Sequence, residues 1–469
     1  MTGDSDPPLR NSVEIQGNVL AAFNKSHQMF LLVAFADAGR GRQWLGDMAS
    51  LVATTKAVED FNENYSACRR LPRCDPDDLR AVWTNVTLTF RGLSRLAKRE
   101  TIDQIPRRYS ALRDGAARRA PKVGDTGASV PANWLYGAEH LPGIDAVVTV
   151  AADAHQDLDV RLDAVRVLVE RDGLTIVFEQ EARLLPGTQR GHEHFGFKDG
   201  ISQPGVLDFH REDPSHPGTR LGHPGEKLIP PGEFVLGYRS QRGLVGPIPD
   251  WMRDGSFQVL RRLNQDVPGW WSQMKQGPTL KPPLASEALA AKVVGRWPSG
   301  TPLAHAPNFD TGAPDDNTFD FRDDPKGERT PRFAHIRKVY PRASTPPGEA
   351  ESERRRIMRR GIPFGPTYDP SRGPAYGPGA DRGLMFQCFC ADLERQFEFL
   401  QRHWVNNPDF PDAGDGRDDV IGLEGSNILR RRGAPNARLD FWQFVTTSGA
   451  VYAFAPSMTT LRRLANDDL

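Results

Sequence analysis

The run Gly191-His192-Glu193-His194-Phe195-Gly196-Phe197-Lys198-Asp199-Gly200 places Asp199 between glycines in an apolar and aromatic setting. Glycine lets backbone approach a ligand closely, and a carboxylate held in such a loop can act as a base beside a bound group. An aspartate capping a turn is the plain alternative reading. Further along, Phe333-Ala334-His335-Ile336-Arg337-Lys338-Val339-Tyr340-Pro341-Arg342 sets a histidine between an apolar pair and a basic segment. Such a histidine can ligate a metal through one ring nitrogen, while cations such as Arg342 hold the carboxylates of a large anionic cofactor. In Ile357-Met358-Arg359-Arg360-Gly361-Ile362-Pro363, apolar neighbours can aim one guanidinium inward. Gly383-Leu384-Met385-Phe386 reads as an apolar strand that can wall a pocket. His192 and His194 alternate and form a separate candidate chelate for a divalent metal, with Glu193 or a distant carboxylate completing the shell.

These residues need positioning elements. Between 14 and 190 the chain alternates strands and helices. Strands are expected at His27 to Ala36, Val82 to Phe90, Ala146 to Ala151 and Leu174 to Glu181, and helices at Gly41 to Thr55 and Asp153 to Glu170. Proline and glycine crowd residues 205–330, which read as a connecting insertion with one helix near Leu284 to Val294. Glu349 to Arg360 reads as a charged helix supported by Glu351 and Arg355. The pattern then returns. Gly383 to Cys390 is a strand, Asp392 to Trp404 a helix, Phe441 to Thr447 and Val451 to Phe454 a hairpin across Ser448-Gly449, and Ser457 to Ala465 a closing helix. The expected fold class is α+β, with two similar domains, each an antiparallel sheet covered by helices. The boundaries are 1–204, carrying the Asp199 loop, then the insertion 205–330, then 331–469.

Composition narrows the function. Lys plus Arg number 60 and Asp plus Glu number 60, a net charge of zero that gives no bulk attraction to nucleic acid. The basic runs Arg354-Arg355-Arg356 and Arg430-Arg431-Arg432 read as solvated faces. No apolar run approaches the ~18–20 residues of a membrane helix. Met1 to Pro8 lacks the features of a signal peptide or twin-arginine leader, so a cytoplasmic location is expected. Cys68, Cys74, Cys388 and Cys390 lack zinc-ribbon spacing and read as reduced structural thiols.

Taken in order, Gly196 to Gly200, His335 to Lys338, Ile357 to Arg359 and Gly383 to Phe386 resemble the dye-decolorising peroxidases. Ile15-Gln16-Gly17-Asn18-Val19-Leu20, the stretch Phe389 to Gln401 and Tyr452 to Ser457 are similar to that family as well. The resemblance runs from about residue 14 to 465. It implies two ferredoxin-like domains and one haem b per chain, seated between the sheet and helices of the C-terminal domain. His335 would be the proximal iron ligand, with Arg342, Leu384, Phe386 and Asp392 around the cofactor. A ligand histidine donates its other nitrogen to an acceptor. Asp392 is the first choice for that partner, with Asp419 and Glu424 as alternatives. Asp199 would be the distal acid–base, Arg359 would stabilise charge as the O–O bond breaks, and Leu384 and Phe386 would keep the peroxide site narrow.

An unperturbed aspartate titrates near ~3.9 against ~6.5 for histidine, so an acidic activity optimum is expected. The partners would be hydrogen peroxide and an organic reductant, with Mn(II) as a second candidate. Electrons from bulky dyes would arrive through Tyr340, Tyr368, Tyr376, Trp404 or Trp442. The family often has Asn where this chain has Tyr340, a change that can supply a redox-active phenol. A haem-handling protein with weak peroxidase activity is the alternative function, and a non-haem metal enzyme at His192 and His194 a third.

Overall fold

In the computed structural model, residues 7–71, 74–75 and 78–469 are described. The leader reading of Met1 to Pro8 falls mostly outside that range. The strands that build the core are β1 (His27–Ala34), β2 (Val82–Leu88), β3 (Ala146–Ala152), β4 (Thr175–Arg183), β5 (Ser256–Gln265), β6 (Met358–Arg359), β7 (Ile362–Phe364) and β8 (Gly383–Cys390), then β9 (Gly425–Leu429), β10 (Ala437–Phe441) and β11 (Val445–Ala455). Every residue of β3 is buried, which matches its run of small and β-branched residues, apolar but for Thr149, and a place inside the sheet with both faces covered.

Nine strands form one sheet in the order β4-β1-β3-β2-β11-β5-β8-β6, with β7 also on β8. All its pairings are antiparallel. The order divides into two equivalent halves. In the N-terminal half, strands one to four lie 4-1-3-2. In the C-terminal half β5, β6 with β7, β8 and β11 repeat that arrangement. The fold is thus two ferredoxin-like α+β units, as expected. The halves meet at one register pair, Phe454 with Leu88.

Other contacts tie the halves together. Gln16 donates to the carbonyls of Val86 (2.8 Å) and Pro456 (2.9 Å). Asn18 donates to Gln387 at 3.2 Å. The helix Met458–Ala465 packs on the helix Ala38–Leu51 of the other half, with Leu461 and Leu464 in the same core as Trp44, Leu45 and Met48.

Several local expectations change. The stretch 205–330 contains β5, an inner strand of the second half-sheet, and the helices Val267–Met274 and Ser286–Val294. No hairpin turn occurs at Ser448-Gly449. The chain runs straight through as β11, with a register shift between Thr447 and Gly449. The glycine is needed for contact, since a Cβ there would lie 2.5 Å from the Tyr136 ring. The helix expected over Glu349 to Arg360 stops at Glu353, and Met358 and Arg359 join the sheet. Asp392 to Trp404 is helical only from Phe397, continuing into a π-turn over Leu400–Val405. Cys68 and Cys74 form a disulfide at the end of the helix Thr55–Cys68, Cα atoms 5.2 Å apart, rather than standing reduced. Their helix-end geometry brings the two sulfurs into bonding range. Cys388 and Cys390 are free and buried.

Candidate active site

Residues 191–200 fold back on themselves. Asp199 N–H donates to the Gly191 carbonyl at 3.0 Å, and His192 pairs with Lys198. Inside this loop the Glu193 carboxylate accepts from the Phe195 amide (2.8 Å), the Phe197 amide (2.9 Å) and the Gln265 side chain (2.5 Å). Gly196 has φ 98° and Gly200 φ 76°, the left-handed conformation that glycine adopts without strain. The loop delivers Asp199 to Arg359 on β6, where Nη1 donates to Oδ1 at 3.0 Å. Arg359 is fixed further by Nη2 on the Ser202 carbonyl (3.0 Å) and by Gln203, which bonds both its amide and its carbonyl. Pairing of Arg359 with Cys388 couples it to β8, which carries Leu384 and Phe386 on one face.

Asp199, Arg359, Leu384, Phe386, His335 and Arg342 all line one cavity. His335 opens the short helix His335–Val339. Its Nδ1 donates to Asp418 Oδ2 at 2.7 Å. Asp418 is fully buried, and its other oxygen accepts from the amides of Val420 (2.8 Å) and Ile421 (3.1 Å). This fixes the tautomer of His335 and leaves Nε2, which makes no hydrogen bond among the described residues, as its available ligand atom.

The expected partner Asp392 is elsewhere. Its carboxylate accepts from the amides of Glu394 (3.1 Å) and Arg395 (3.0 Å), which caps a turn, and it is not part of the cavity wall. Asp419 bonds Asn427, and burial pushes its carboxyl well up. The Glu424 carbonyl accepts from Arg417. Nothing local in Asp415-Gly416-Arg417-Asp418-Asp419 marks Asp418 as the partner.

The histidine chelate does not assemble. His194 is buried with Nε2 on the Phe364 carbonyl at 2.8 Å, and Glu193 is committed to its own loop. Among the described residues no group of three or more His, Cys, Asp or Glu is arranged to hold a metal ion.

The cavity's chemistry suits a flat apolar group with an anionic edge. Ile336, Val339, Leu400, Val405, Val420 and Ile421 supply apolar wall. Two buried guanidinium groups, Arg296 and Arg342, also line it, and neither has a carboxylate within ion-pair distance among the described residues. Asn317 holds both, its side-chain oxygen accepting from Arg296 (2.6 Å) and its carbonyl from Arg342 (2.9 Å). Burial pushes Arg296 down to about 9 and Arg342 down to about 10. Buried cations without anionic partners are costly, and a carboxylate arriving with a cofactor removes that cost. The same wall corrects the reading of Arg354-Arg355-Arg356 as a solvated face, since Arg355 and Arg356 are buried and line the cavity.

A second, polar cavity opens on the outer side of Asp199 and Arg359, lined by Glu193, Gln203, His210, Arg220 and Arg360 among others. Glu193 faces both spaces. Burial pushes its carboxyl up from 4.5 to about 7, against the three donors it accepts from and with the help of the Asp199 charge. Burial pushes His194 down from 6.5 to about 4. The signs oppose. Between these values folded Glu193 holds a proton that the unfolded chain has lost, so its contribution is full below 4.5 and disappears as pH rises through 7. The His194 contribution is present above 6.5 and disappears as pH falls through 4. Unfolding midpoints in denaturant should therefore show Glu193→Gln gaining ~1–2 kcal/mol on wild type between about pH 5 and about pH 8, the discount reflecting its open outer edge. An offset that does not change with pH would remove the assignment.

The comparisons with known proteins agree with this architecture. Residues 14–182 match the family model described as DyP dimeric alpha+beta barrel domain, and residues 239–415 match Dyp-type peroxidase, C-terminal. A dye-decolorising peroxidase of Mycetinis scorodonius is 29% identical, the alignment covering 96% of this chain and 87% of the relative. The multifunctional dye peroxidase DyP2 of Amycolatopsis is 28% identical over 96% of this chain and 95% of its own length. Among solved structures, an ancestral D-type dye-decolorising peroxidase is 30% identical with a TM-score of 0.82, covering 96% of this chain and 98% of the other. A further dye-decolorising peroxidase, 27% identical with a TM-score of 0.79 and covering 98% and 99% of the two chains, was solved with 2,6-dimethoxyphenol. This chain belongs to the dye-decolorising peroxidase family, whose members are haem enzymes, and it is an oxidoreductase that uses peroxide. Among the described residues no helix is long and apolar enough to cross a membrane.

Proposed function

We propose that the chain oxidises phenolic and dye-like aromatic compounds with hydrogen peroxide, using one haem b per chain, with Asp199 as acid–base, Arg359 as charge stabiliser and His335 as iron ligand. The observation that carries this reading is the Asp199–Arg359 pair at 3.0 Å in the wall of the cavity onto which His335 opens. Haem, when bound, supplies an iron that takes two oxidising equivalents from peroxide and returns them one electron at a time. Arg296 and Arg342 would hold its carboxylates. Asp418 holds the His335 imidazole in one orientation and one tautomer. Asp199 takes a proton from one peroxide oxygen and returns it to the other, so the departing half leaves as water. Arg359 offsets the negative charge that grows on that half as it leaves. Leu384 and Phe386 exclude larger groups from the peroxide position. A Soret band in the purified protein that shifts on mixing with peroxide in stopped flow tests the reading, and a haem-handling protein would show the band without the fast shift.

Of the aromatic side chains considered as entry points for electrons, Tyr340 and Trp404 are buried, Tyr368 and Tyr376 are partly covered, and Trp442 is 60% exposed. Gln443, next in the chain, lines the cavity. Trp442→Ser is expected to lower kcat/KM for a bulky dye by ~10-fold while a small reductant that enters the cavity keeps its rate, a loss of ~1.4 kcal/mol confined to one substrate class. Equal losses for both substrates would exclude Trp442 as the entry point. Mn(II) stands as a second candidate reductant.

A further inference from the structure

Tyr340 follows the helix that carries His335 and is 8% exposed. Among the described residues no other tyrosine, and no tryptophan, lines the cavity onto which His335 opens. Its hydroxyl donates to Glu353 Oε1 at 2.5 Å. Glu353 is itself 4% exposed, and its second oxygen has no hydrogen-bond partner, with Arg356 Nη1 3.7 Å away. The phenol ring lies against two guanidinium groups, Arg356 at 3.9 Å and Arg342 at 4.8 Å from its centre.

This arrangement has a definite chemical bias. A phenol that loses an electron becomes a strong acid, and two cations on its ring oppose any build-up of positive charge there. Oxidation is therefore unfavourable unless the proton leaves together with the electron. Glu353 is placed to receive it, along a hydrogen bond already formed to Oε1. Burial pushes the phenol itself up to about 12, so the resting state keeps its proton.

We propose that Tyr340 is a redox-active residue of this enzyme, giving one electron to the peroxide-oxidised cofactor while its phenolic proton passes to Glu353. The products are a neutral tyrosyl radical and a protonated Glu353, and the cofactor is reduced by one electron. The cycle closes when an organic reductant gives one electron to the radical and Glu353 returns the proton, the oxidised reductant losing its own proton to water. The inference rests on the peroxidase reading. Tyr340 would hold the second oxidising equivalent when no small reductant reaches the cavity.

The test uses the haem-loaded protein mixed with one equivalent of hydrogen peroxide, freeze-quenched and read by electron paramagnetic resonance, with the Soret band followed in parallel. Wild type should give a tyrosyl signal that narrows when the protein is made with ring-deuterated tyrosine. Tyr340→Phe should lose that signal by about tenfold or more, with its haem content and cyanide-bound spectrum as controls for an intact site. Glu353→Gln keeps the phenol but not the proton acceptor, and should lower the radical yield. An undiminished tyrosyl signal in Tyr340→Phe, or an unaltered yield in Glu353→Gln, overturns the proposal while leaving the peroxidase reading standing. A wild-type Soret band indifferent to peroxide overturns both.

Discussion

His335→Ala will fold and will not keep haem. The side chain stands at the cavity wall, 23% exposed, and its removal takes away one hydrogen bond. What remains is Asp418, buried but still accepting two backbone amides, so the cost to folding is ~1–3 kcal/mol. The cost to the cofactor is far larger, because Nε2 would supply the iron ligand and, among the described residues, no other histidine lines the cavity. The ratio of Soret to protein absorbance after purification should fall to near zero, while far-ultraviolet circular dichroism stays as in wild type. Asp418→Ala should act in the same direction but less, weakening haem retention by ~10–100-fold, the usual effect of removing a partner behind a ligand histidine. Full haem content with an unchanged spectrum in His335→Ala would rule out His335 as the ligand.

The second large effect belongs to Asp199. Asp199→Ala should retain haem and react with peroxide ~10²–10⁴-fold more slowly, the range for losing a general acid–base. Arg359→Leu should lose ~10²–10³-fold, the range for losing one donor to developing charge. Because the two side chains touch at 3.0 Å, the double variant should be much less than multiplicatively impaired. The rate of Soret change against peroxide concentration measures all three. A double variant whose loss equals the product of the single losses would mean that the pair does not act as a unit.

The parts of this site that the sequence displays are those built from short, self-contained geometry. Asp199 is carried by a loop whose glycines and whose Glu193 bonds to the Phe195 and Phe197 amides all lie within ten residues, with Gln265 the one donor from outside. Leu384 and Phe386 alternate on one strand, so their shared face follows from the period of two. Asp418 is different. Several aspartates crowd the same loop with nothing local to separate them, and only the approach of His335 from 83 residues away selects one. Arg355 and Arg356 look like surface in a run of three arginines. Their burial depends on Glu351, Phe399 and Tyr340 closing over them.

The fold divides in the same way. The strand β3, apolar but for Thr149, announces itself, whereas β5 is disguised by Arg261 and Arg262 in mid-strand, and their charges are met by Asp125 and Asp381 from distant segments. Gly449 resembles a turn until the Tyr136 ring is seen to occupy the space of its missing side chain. In each case the misleading residue is polar or small for a reason supplied by a partner remote in sequence.

The packing of Met458–Ala465 on Ala38–Leu51 also bears on how the protein is made. The first-formed helix leaves the ribosome roughly 400 residues before the one that covers it, an interval of ~20–80 s at ordinary elongation rates. During that time Trp44, Leu45 and Met48 lack their final cover, and the Gln16 amide lacks its Pro456 acceptor. The N-terminal half therefore waits for its lid through nearly the whole of synthesis, and chaperone demand should be set by translation speed.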